Sequence, residues 1–573
     1  MRNPTVFKSS KLALAVSLTA ALAASPAVLA DDATTTNVMA PLEVSDWNSF
    51  SQQLATAKSM GVDAVSVDVW WGKVEGAGDQ IFDWSYYDTM VQHLENAGLD
   101  WVPIMSFHQC GGNVGDDCNI PIPGWIWNHF SGTSANDLKY RSEQNNFSNE
   151  TVSLWADNLV INEYIEFMNE FESHFGAKAA MIDEINVSMG PAGELRYPSY
   201  NSHDSGTGYP TRGAFQAYSE PAKADFRNWT IAKYGSLSGV NSAWGFGLGS
   251  VNDINPPSNA ESFVSNGEHF NTQYGKDFVR WYHDSLTDHG NRMMDAAIVA
   301  FNGSFSNIEL GFKIPGIHWQ IGNPSNYSRS AEIAAGLIPT DVNLWSDATA
   351  HGYSSIISVA ADYASSGRDV VLHFTALEMD NQNWAPQYSR AKDLVFWVAG
   401  GAADQNVVIK GENALAGGVG TNTGWNNIEN AFTFASYSGM TVLRINNVTT
   451  GGTGQSRYSS FIQNFHAGTP GGDANVTFTC NNGNTYWGQS VYVVGNIAQL
   501  GGWNPANGVQ MDAPSYPTWT KTVAVPANTA IHWKCVKREE SDPTAGVEWQ
   551  PGTQNNQVTS GNAGTTVTSS GSF

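Results

Sequence analysis

The sequence has few charged residues, and basic residues are the scarcer kind. Charged residues make up 14% of the 573 positions, and 28 Lys and Arg stand against 53 Asp and Glu, for a formal net charge of -25. Nucleic acids and anionic membranes both bind through clusters of Lys and Arg, so we expect no nucleic acid and no membrane among the partners. The 41% of hydrophobic residues suffices for a large core and argues against a disordered chain.

Long hydrophobic runs are also missing beyond the first thirty residues. Residues 12–24 form one short apolar run, preceded by Arg2, Lys8 and Lys11 and followed by small residues at 28–30. The run is too short to span a bilayer, and this order of basic, apolar and small residues is typical of a secretory signal peptide. We therefore expect residues 1–30 to be a signal peptide and the mature protein to be secreted, extracellular and soluble.

Cysteine is scarce as well, with four residues in the chain. Cys110 and Cys118 lie eight residues apart around a glycine-rich loop, and Cys480 and Cys535 both lie in the last hundred residues. Secretion would permit disulfide bonds, and the simplest pairing joins the neighbours, Cys110 to Cys118 and Cys480 to Cys535. Spacing alone leaves the connectivity open.

Aromatic residues, in contrast, are abundant, at 12% of the chain with 21 Trp. Exposed aromatic rings stack on flat, neutral, hydroxyl-rich ligands such as sugars. A large aromatic core would give the same composition, so composition by itself leaves both interpretations open.

Residues 40–450 alternate between helical and strand patterns. Asp46 is a candidate N-cap before an apolar helical period that ends at Gly61, and residues 65–69 then alternate as a strand. Further strands are predicted at 101–106, 180–187, 308–314, 370–374, 407–409 and 442–445. Repeated βα units predict an α/β fold, a (β/α)8 barrel, with long loops because the segment exceeds the roughly 250 residues of a bare barrel. A doubly wound parallel sheet is the main alternative.

The pattern changes after residue 450. Glycine-rich residues 451–473 predict a linker, and the short alternating runs beyond it, separated by turn residues, predict a small antiparallel β-sandwich. The predicted organisation is therefore a signal peptide at 1–30, a barrel at 31–450, a linker at 451–473 and a β-sandwich at 474–573.

Carboxylates follow several predicted barrel strands, where the functional residues of such barrels lie. They are Asp68, Asp116, Glu194, Glu378 and Glu412, and His108, Lys313 and Arg444 lie at similar positions. Several carboxylates beside Trp rings suit the cleavage of glycosidic bonds, in which one acid protonates the leaving oxygen and a second carboxylate activates water or attacks the sugar. Any single one of them would also serve as a helix cap or in a loop salt bridge.

Two segments, residues 108–116 and 190–200, resemble the signature motifs of the β-amylases, glycoside hydrolase family 14. The resemblance extends through residues 67–72, 313–319, 374–375, 411–415 and 443–444, in the family's order. It implies exo-hydrolysis of the α-1,4-glucosidic bonds of starch, amylose and maltodextrins from non-reducing ends, with release of β-maltose by inversion. An endo-acting barrel glycosidase and a starch-binding protein with an inactive barrel are the alternatives.

The resemblance also implies roles for individual residues. Glu194 matches the general acid, Glu412 the general base, Asp116 a carboxylate on a mobile loop, and Thr375 an inner-loop residue that shifts on binding. The sugar-contacting positions are matched by Asp68, His108, Lys313, His318, Asn413, Ala414 and Arg444. Since an inverting pair must leave room for a water molecule, we expect about 6.5–9.5 Å between the carboxyl groups of Glu194 and Glu412.

Bacterial β-amylases resemble one another in a calcium site as well. Its ligands would correspond to Glu75, Asp79, Gln80, Glu163 and Glu166. Oxygen ligands from two segments suit Ca²⁺, although a solvated acidic face would have the same composition. We expect a structural Ca²⁺ ion and no cofactor for the hydrolysis itself.

The C-terminal module resembles a family 20 starch-binding domain, most clearly over residues 487–503. The resemblance implies two sugar sites, the first with Trp503, Trp549, Lys534 and Asn555, the second with Trp487 and Tyr516. Two sites on one module would raise the avidity for starch granules, whereas the alternative places these rings in the core of the sandwich. We expect the whole protein to be a monomer.

Overall fold

The structure is a computed structural model that describes residues 34–113, 115–363, 368–466, 473–526, 529–561 and 565–573. The expected signal peptide, residues 1–30, lies outside the described residues and stays a prediction. No helix within the described ranges is long and apolar enough to cross a membrane.

Eight parallel strands of the described chain close into a barrel, in which each strand pairs with the next and β8 pairs with β1. The strands are β1 (Thr35–Met39), β2 (Ala64–Trp70), β3 (Asp100–Ser106), β4 (Glu184–Val187), β5 (Glu309–Ile314), β6 (Val370–Phe374), β7 (Ile409–Glu412) and β8 (Gly439–Val442). The barrel prediction is confirmed, and closure excludes the doubly wound sheet, whose edges stay open.

Helices surround the barrel and occupy its long connections. They are α1 (Trp47–Met60), α2 (Trp71–Val74), α3 (Ser85–Ala97), α4 (Asp157–Phe175), α5 (Glu220–Tyr234), α6 (Leu237–Trp244), α7 (Ala260–Ser265), α8 (Glu268–Asn271), α9 (Gln273–Ala300), α10 (Ser330–Ala334), α11 (Ser354–Ala361), α12 (Ala391–Asp404), α13 (Asn422–Phe434), α14 (Asn446–Thr449) and α15 (Gly452–Phe465). The longest connection, between β4 and β5, contains α5 to α9 and begins at the carboxyl end of β4, the side of the barrel on which such proteins build their sites.

Helix α1 shows how local sequence sets these elements. The Asp46 side chain accepts hydrogen bonds from the backbone N–H groups of Asn48 and Ser49, which satisfies two donors that a helix start leaves free. Gly61 ends the helix with φ 95°, a left-handed conformation that favours glycine. These are the helix start and stop that the sequence pattern predicts.

Some tryptophans are buried in the core and others are exposed at the surface, so both explanations of the high tryptophan content apply, each to different residues. Trp71, Trp101 and Trp281 are fully buried in the barrel core, and Trp425 packs under α15. Trp384, by contrast, is 63% exposed on a loop of the barrel, and Trp487 of the C-terminal domain is fully exposed. The exposed rings are therefore the candidates for ligand contact.

The predicted linker differs from the structure over residues 452–465, which form helix α15. Tyr458, Phe461 and Ile462 recur at helical spacing and are buried against the barrel, and the Tyr458 hydroxyl donates to the carbonyl of Asn37 on β1. Gly451, Gly452 and Gly454, which suggested a linker, lie at the start of this helix, where Gly451 and Gly452 adopt positive φ angles, while Gly471 and Gly472 lie outside the described residues. The barrel domain therefore continues through α15.

The C-terminal domain consists of two β-sheets. Its strands are β9 (Asp473–Asn481), β10 (Gln489–Gly495), β11 (Val509–Gln510), β12 (Asp512–Ser515), β13 (Thr518–Pro526), β14 (Ala530–Glu539), β15 (Glu548–Trp549), β16 (Asn556–Thr559) and β17 (Thr566–Ser572). One sheet has the order β11-β10-β14-β15, with β16 also paired to β14, and the other has the order β12-β13-β9-β17. The β-rich domain is confirmed, with one difference: β17 pairs with β9 in parallel, so this edge is not antiparallel.

The two disulfide bonds join the expected partners. Cys110 is bonded to Cys118 in the loop after β3, and Cys480 to Cys535 between β9 and β14. The second bond therefore joins the two sheets of the C-terminal domain.

Candidate active site

Glu194 follows β4 on a tight turn. The backbone folds back so closely that a Cβ atom at Gly190 would lie 2.6 Å from the carbonyl oxygens of both Glu194 and Arg196. The N–H of Leu195 donates to the carbonyl of Lys313 at 2.8 Å, which fixes the turn against the end of β5. The glycine therefore permits the approach that brings Glu194 to the barrel mouth.

The Glu194 carboxyl group is largely enclosed, with 13% of its side chain exposed. It accepts a hydrogen bond from Arg196 Nε at 2.7 Å, and the Arg196 guanidinium group, which is fully buried, lies 4.2 Å from the centre of the Tyr200 ring. Burial raises the pKa of Glu194 and the nearby Glu412 adds to this, while Arg196 and Lys313 lower it without cancelling the rise. The net shift favours a protonated carboxyl group, which is what a general acid requires.

Glu412 ends β7 in a different electrostatic setting. Lys313 Nζ, at the end of β5, lies 2.8 Å from Glu412 Oε1, and His373 Nδ1 lies 3.6 Å from the same oxygen. The contact with Lys313 orients the Glu412 carboxyl group at the end of β7, as the predicted role of general base requires. The two predicted catalytic groups thus reach one mouth from strands 218 residues apart (412 − 194), and each lies in an environment suited to its predicted role.

A buried charge network lies directly below Glu412. His373 Nε2 lies 2.5 Å from one oxygen of Glu184, and Lys410 Nζ lies 2.7 Å from the other. Burial alone would raise the pKa of Glu184, but Lys410 and His373 hold it below its usual range. The sequence motifs do not include these residues, although charged side chains inside buried strands are rare enough to serve as a signal.

Four further predicted residues lie at the same mouth, namely Arg444, Asp68, Asp116 and His108. Burial lowers the pKa of Arg444, and the neighbouring charges of Asp68, Asp116 and Glu412 oppose that shift. His108 places Nδ1 2.8 Å from Ser188 Oγ, and burial lowers its pKa to about 4, so its imidazole is neutral near pH 7. The predicted sugar-contacting residues here are therefore a neutral ring and nearby charges of both signs, which suits a neutral, hydroxyl-rich ligand.

The loop between the disulfide-bonded Cys110 and Cys118 contains Asp116 and contacts Arg196, the partner of Glu194. Asp116 Oδ2 accepts hydrogen bonds from the N–H groups of Gly111 and Asn113 at 2.9 and 3.0 Å, so the carboxylate holds its own loop together. Asn113 Oδ1 in turn accepts a hydrogen bond from Arg196 at 3.3 Å. A movement of this loop would therefore reach Arg196, the partner of Glu194.

The predicted inner-loop residue Thr375 contacts the segment after β5. Its Oγ1 accepts a hydrogen bond from the N–H of Gly316 at 2.7 Å, and a Cβ at Gly316 would lie 2.7 Å from the Cβ of Ala376. On the same segment, His318 places Nδ1 2.7 Å from Ser389 Oγ, and burial lowers its pKa to about 4. Glycine at 316 thus lets the two loops meet.

The segment after Glu412 is fixed by two side chains. The amide of Asn413 bonds to both the carbonyl and the N–H of Leu443 at 2.8 Å, which leaves its backbone, rather than its side chain, for a sugar contact. The Glu378 carboxylate accepts the N–H groups of Ala414 and Leu415 at 3.0 and 2.8 Å. Glu378 ends a strand region like the catalytic candidates, yet the structure gives it a positioning role.

Comparison with known proteins places the chain in a family. The family model "Glycosyl hydrolase family 14" matches residues 37–471, and the model "Starch binding domain" matches residues 473–570. The chain belongs to glycosyl hydrolase family 14. The "Thermophilic beta-amylase" of Thermoanaerobacterium thermosulfurigenes is 40% identical over 93% of this chain and 92% of the relative, and the "Beta-amylase" of Bacillus cereus is 39% identical over 87% and 86%. Among solved structures, the catalytic domain of the beta-amylase from Paenibacillus polymyxa is 40% identical, with a TM-score of 0.67, over 75% of this chain and 98% of that one.

In this family 14 chain, three of the five predicted calcium ligands converge. Oxygen atoms of Asp79, Glu163 and Glu166 lie within 4.8 Å of one another, and we call these three residues the acidic cluster. The neighbouring Glu75 accepts hydrogen bonds from Trp71 Nε1 at 2.7 Å and from the N–H of Gln80 at 2.8 Å. Burial raises the pKa of Glu75 to about 7, and the charges of Glu166 and Asp79 add to the rise. An all-oxygen set with this excess of negative charge fits Ca²⁺.

The predicted starch-binding residues fall into two groups. The rings of Trp503 and Trp549 lie 6.2 Å apart at an angle of 42°, and Lys534 Nζ donates to the carbonyls of Gln550 and Gly552 beside them. Asn555, which the resemblance also assigns to this first sugar site, is exposed.

The second group contains rings that are more exposed. Trp487 is fully exposed, and Tyr516 is 56% exposed with its hydroxyl bonded to the backbone of Thr485. The tryptophans in the described core of this domain are Trp519 and Trp533 instead. The predicted binding rings are therefore at the surface, where they can stack on sugars.

Proposed function

We propose that this family 14 hydrolase cleaves α-1,4-glucosidic bonds of starch, amylose and maltodextrins from non-reducing ends and releases β-maltose with inversion. Glu194 is the general acid and Glu412 the general base. One observation carries the proposal: two carboxyl groups reach the same mouth in opposite settings, since burial raises the pKa of Glu194 while Lys313 pairs with Glu412. The family membership and the β-amylase relatives support the same activity.

The acid acts on the leaving group. The protonated Glu194 carboxyl group donates its proton to the glycosidic oxygen as the bond from that oxygen to the anomeric carbon breaks. Arg196 bonds to Glu194 Oε2 at 2.7 Å, so it orients the group and stabilises the carboxylate that remains after the transfer.

The base acts on water at the opposite face of the sugar ring. The Glu412 carboxylate accepts a proton as the water oxygen forms its bond to the anomeric carbon, and the product has the β configuration. Lys313, at the end of β5, holds Glu412 in place through their ion pair, and His373 of β6 lies 3.6 Å from the same carboxyl oxygen. This geometry requires about 6.5–9.5 Å between the two carboxyl groups, while about 5 Å would accompany retention.

Proton NMR within minutes of mixing the enzyme with soluble starch tests this proposal. We expect β-maltose as the initial product, and both Glu194→Gln and Glu412→Gln should abolish its formation. α-Maltose or a mixture of longer sugars would contradict it and favour an endo-acting or retaining glycosidase. Binding to granules without any product would favour a starch-binding protein with an inactive barrel.

We also propose the calcium, binding and localisation properties that accompany this activity. The acidic cluster would hold a structural Ca²⁺ ion between the segment after α2 and helix α4, with no part in the hydrolysis. Trp503 and Trp549 would stack on glucose units of a granule, and Trp487 with Tyr516 would form the second contact. Two disulfide bonds suit a secreted protein, and we propose that it is a monomer.

A further inference from the structure

A line of aromatic rings leads from the catalytic acid to the rim of the barrel. Tyr200 packs on Arg196, the partner of Glu194, and its ring lies 5.2 Å from that of Trp319 in an edge-to-face arrangement. The Trp319 ring lies 5.3 Å from Tyr209 in the same arrangement. Tyr200 is partly buried and Trp319 is only 6% exposed, whereas Tyr209 at the outer end of the line is 46% exposed.

A second exposed ring, Trp384, is held on the same rim. Gln320 Nε2 donates hydrogen bonds to two backbone carbonyls, that of Pro210 at 2.8 Å and that of Pro386 at 2.9 Å. Pro210 directly follows Tyr209, and Pro386 lies two residues after Trp384, so this one amide joins the two loops. The N–H of Gln320 donates to the carbonyl of Gln387 at 2.9 Å as well. The two rings therefore belong to loops that a single side chain clamps together.

The loop of Trp384 is also tied to the predicted sugar-binding residue His318. Gln382 and Ser389 exchange backbone hydrogen bonds at 2.9 and 2.8 Å, which makes the segment between them a small hairpin with Trp384 near its tip. Ser389 Oγ lies 2.7 Å from His318 Nδ1, and the Tyr209 ring lies 6.0 Å from the His318 ring. The rim is thus continuous with the catalytic mouth.

We propose that Tyr209 and Trp384 form an additional binding platform for the part of an α-1,4-glucan that extends outward beyond the bond being cleaved. This inference rests on the proposed function, because a chain that enters by its non-reducing end leaves its remaining glucose units at the rim. Aromatic rings with 46% and 63% exposure offer faces for stacking on neutral sugar rings. The platform favours longer chains over short ones, since a short oligosaccharide ends before it reaches the rim.

The test compares maltoheptaose with maltotetraose as substrates of the full chain. We expect Trp384→Ala and Tyr209→Ala each to lower the ratio of kcat/KM for maltoheptaose to kcat/KM for maltotetraose by about three- to tenfold. Trp384→Phe, which keeps a stacking ring, should recover most of the ratio. Phe434→Ala is the matched control, because Phe434 is a 49% exposed ring at the end of α13, and it should leave the ratio unchanged. Equal ratios in wild type and in both alanine variants would overturn the proposal.

A binding measurement separates this proposal from the proposed function. Calorimetric titration of maltoheptaose uses full chains that carry Glu412→Gln, to prevent hydrolysis, and Trp549→Ala, to remove the first starch-domain site. Adding Trp384→Ala should weaken maltoheptaose binding by about three- to tenfold more than maltotetraose binding. An unchanged affinity would refute the platform even if β-maltose is formed, and a weakened affinity would support it even if the product were different.

Discussion

Removal of the Cys480–Cys535 disulfide bond should lower the melting temperature of the starch-binding domain far more than that of the barrel. The bond joins β9 of one sheet to β14 of the other, both cysteines are fully buried, and 55 residues separate them in sequence. In the unfolded chain this cross-link removes the conformational freedom of a long loop, which stabilises the folded domain.

The size of the effect follows from the loop length. On the chain-entropy relation, closing a loop of 55 residues contributes about 4 kcal/mol at 25 °C. Since roughly 1 kcal/mol shifts the melting temperature of a domain of about 100 residues by 4–8 °C, the loss should lower it by roughly 15–30 °C. The Cys110–Cys118 bond closes only eight residues and contributes about 2.5 kcal/mol to a much larger domain, so its removal should shift the barrel by far fewer degrees.

Differential scanning calorimetry of a Cys480→Ala/Cys535→Ala variant measures this shift, and Cys110→Ala/Cys118→Ala is the matched control. Granule adsorption at rising temperature should fail first in the Cys480 variant, while hydrolysis of soluble amylose continues. If adsorption and hydrolysis are lost at the same temperature, or if the melting temperature falls by less than about 5 °C, the chain-entropy reasoning is refuted.

Three other perturbations have expected outcomes. Arg196→Gln should move the alkaline limb of the pH profile of kcat/KM to higher pH. Arg196 lowers the pKa of Glu194, and a general acid works only below its pKa. An alkaline limb at the wild-type pH would contradict the assignment of Glu194 as the general acid. A chelator should lower the melting temperature by removing the cation that offsets repulsion within the acidic cluster, and Glu163→Gln should reduce that sensitivity; equal melting curves would exclude the site. Glu378→Gln should lower the free energy of unfolding in urea by about 1–3 kcal/mol and should also reduce kcat. One of the two backbone N–H groups that Glu378 accepts, next to the predicted base, would lose its acceptor. An unchanged kcat would show that this segment needs no such support.

Several features of this protein could be predicted because their causes are local. The helix of Asp46 to Gly61 and the alternation of residues 65–69 depend on caps and on which side chains face the core, and both can be read from a short window. The predicted glycine-rich linker is wrong over residues 452–465. Glycines at 451, 452 and 454 suggested an irregular segment, but the aromatic residues that follow bury their rings against the barrel and stabilise helix α15.

The candidate site likewise has some features that the sequence predicts and others that depend on the fold. Motif order identified Glu194 and Glu412, and the carboxyl ends of parallel strands explain why residues so far apart in sequence meet. Glu378 lies in a comparable position, and local sequence does not distinguish it from them. Its partners, the N–H groups of Ala414 and Leu415, come from another strand and make it a positioning residue.

The sequence by itself determined the barrel, the β-rich C-terminal domain and the residue types at the barrel mouth, because periodicity and motif spacing are properties of the chain. The tertiary structure alone decided which carboxyl group has a raised pKa, which forms an ion pair and which only holds a loop. Those properties depend on burial and on charges that arrive from distant strands, such as Arg196 beside Glu194 and Lys313 beside Glu412. It also decided that Tyr209 and Trp384 share a rim, since only folding brings their two loops to one Gln320 side chain.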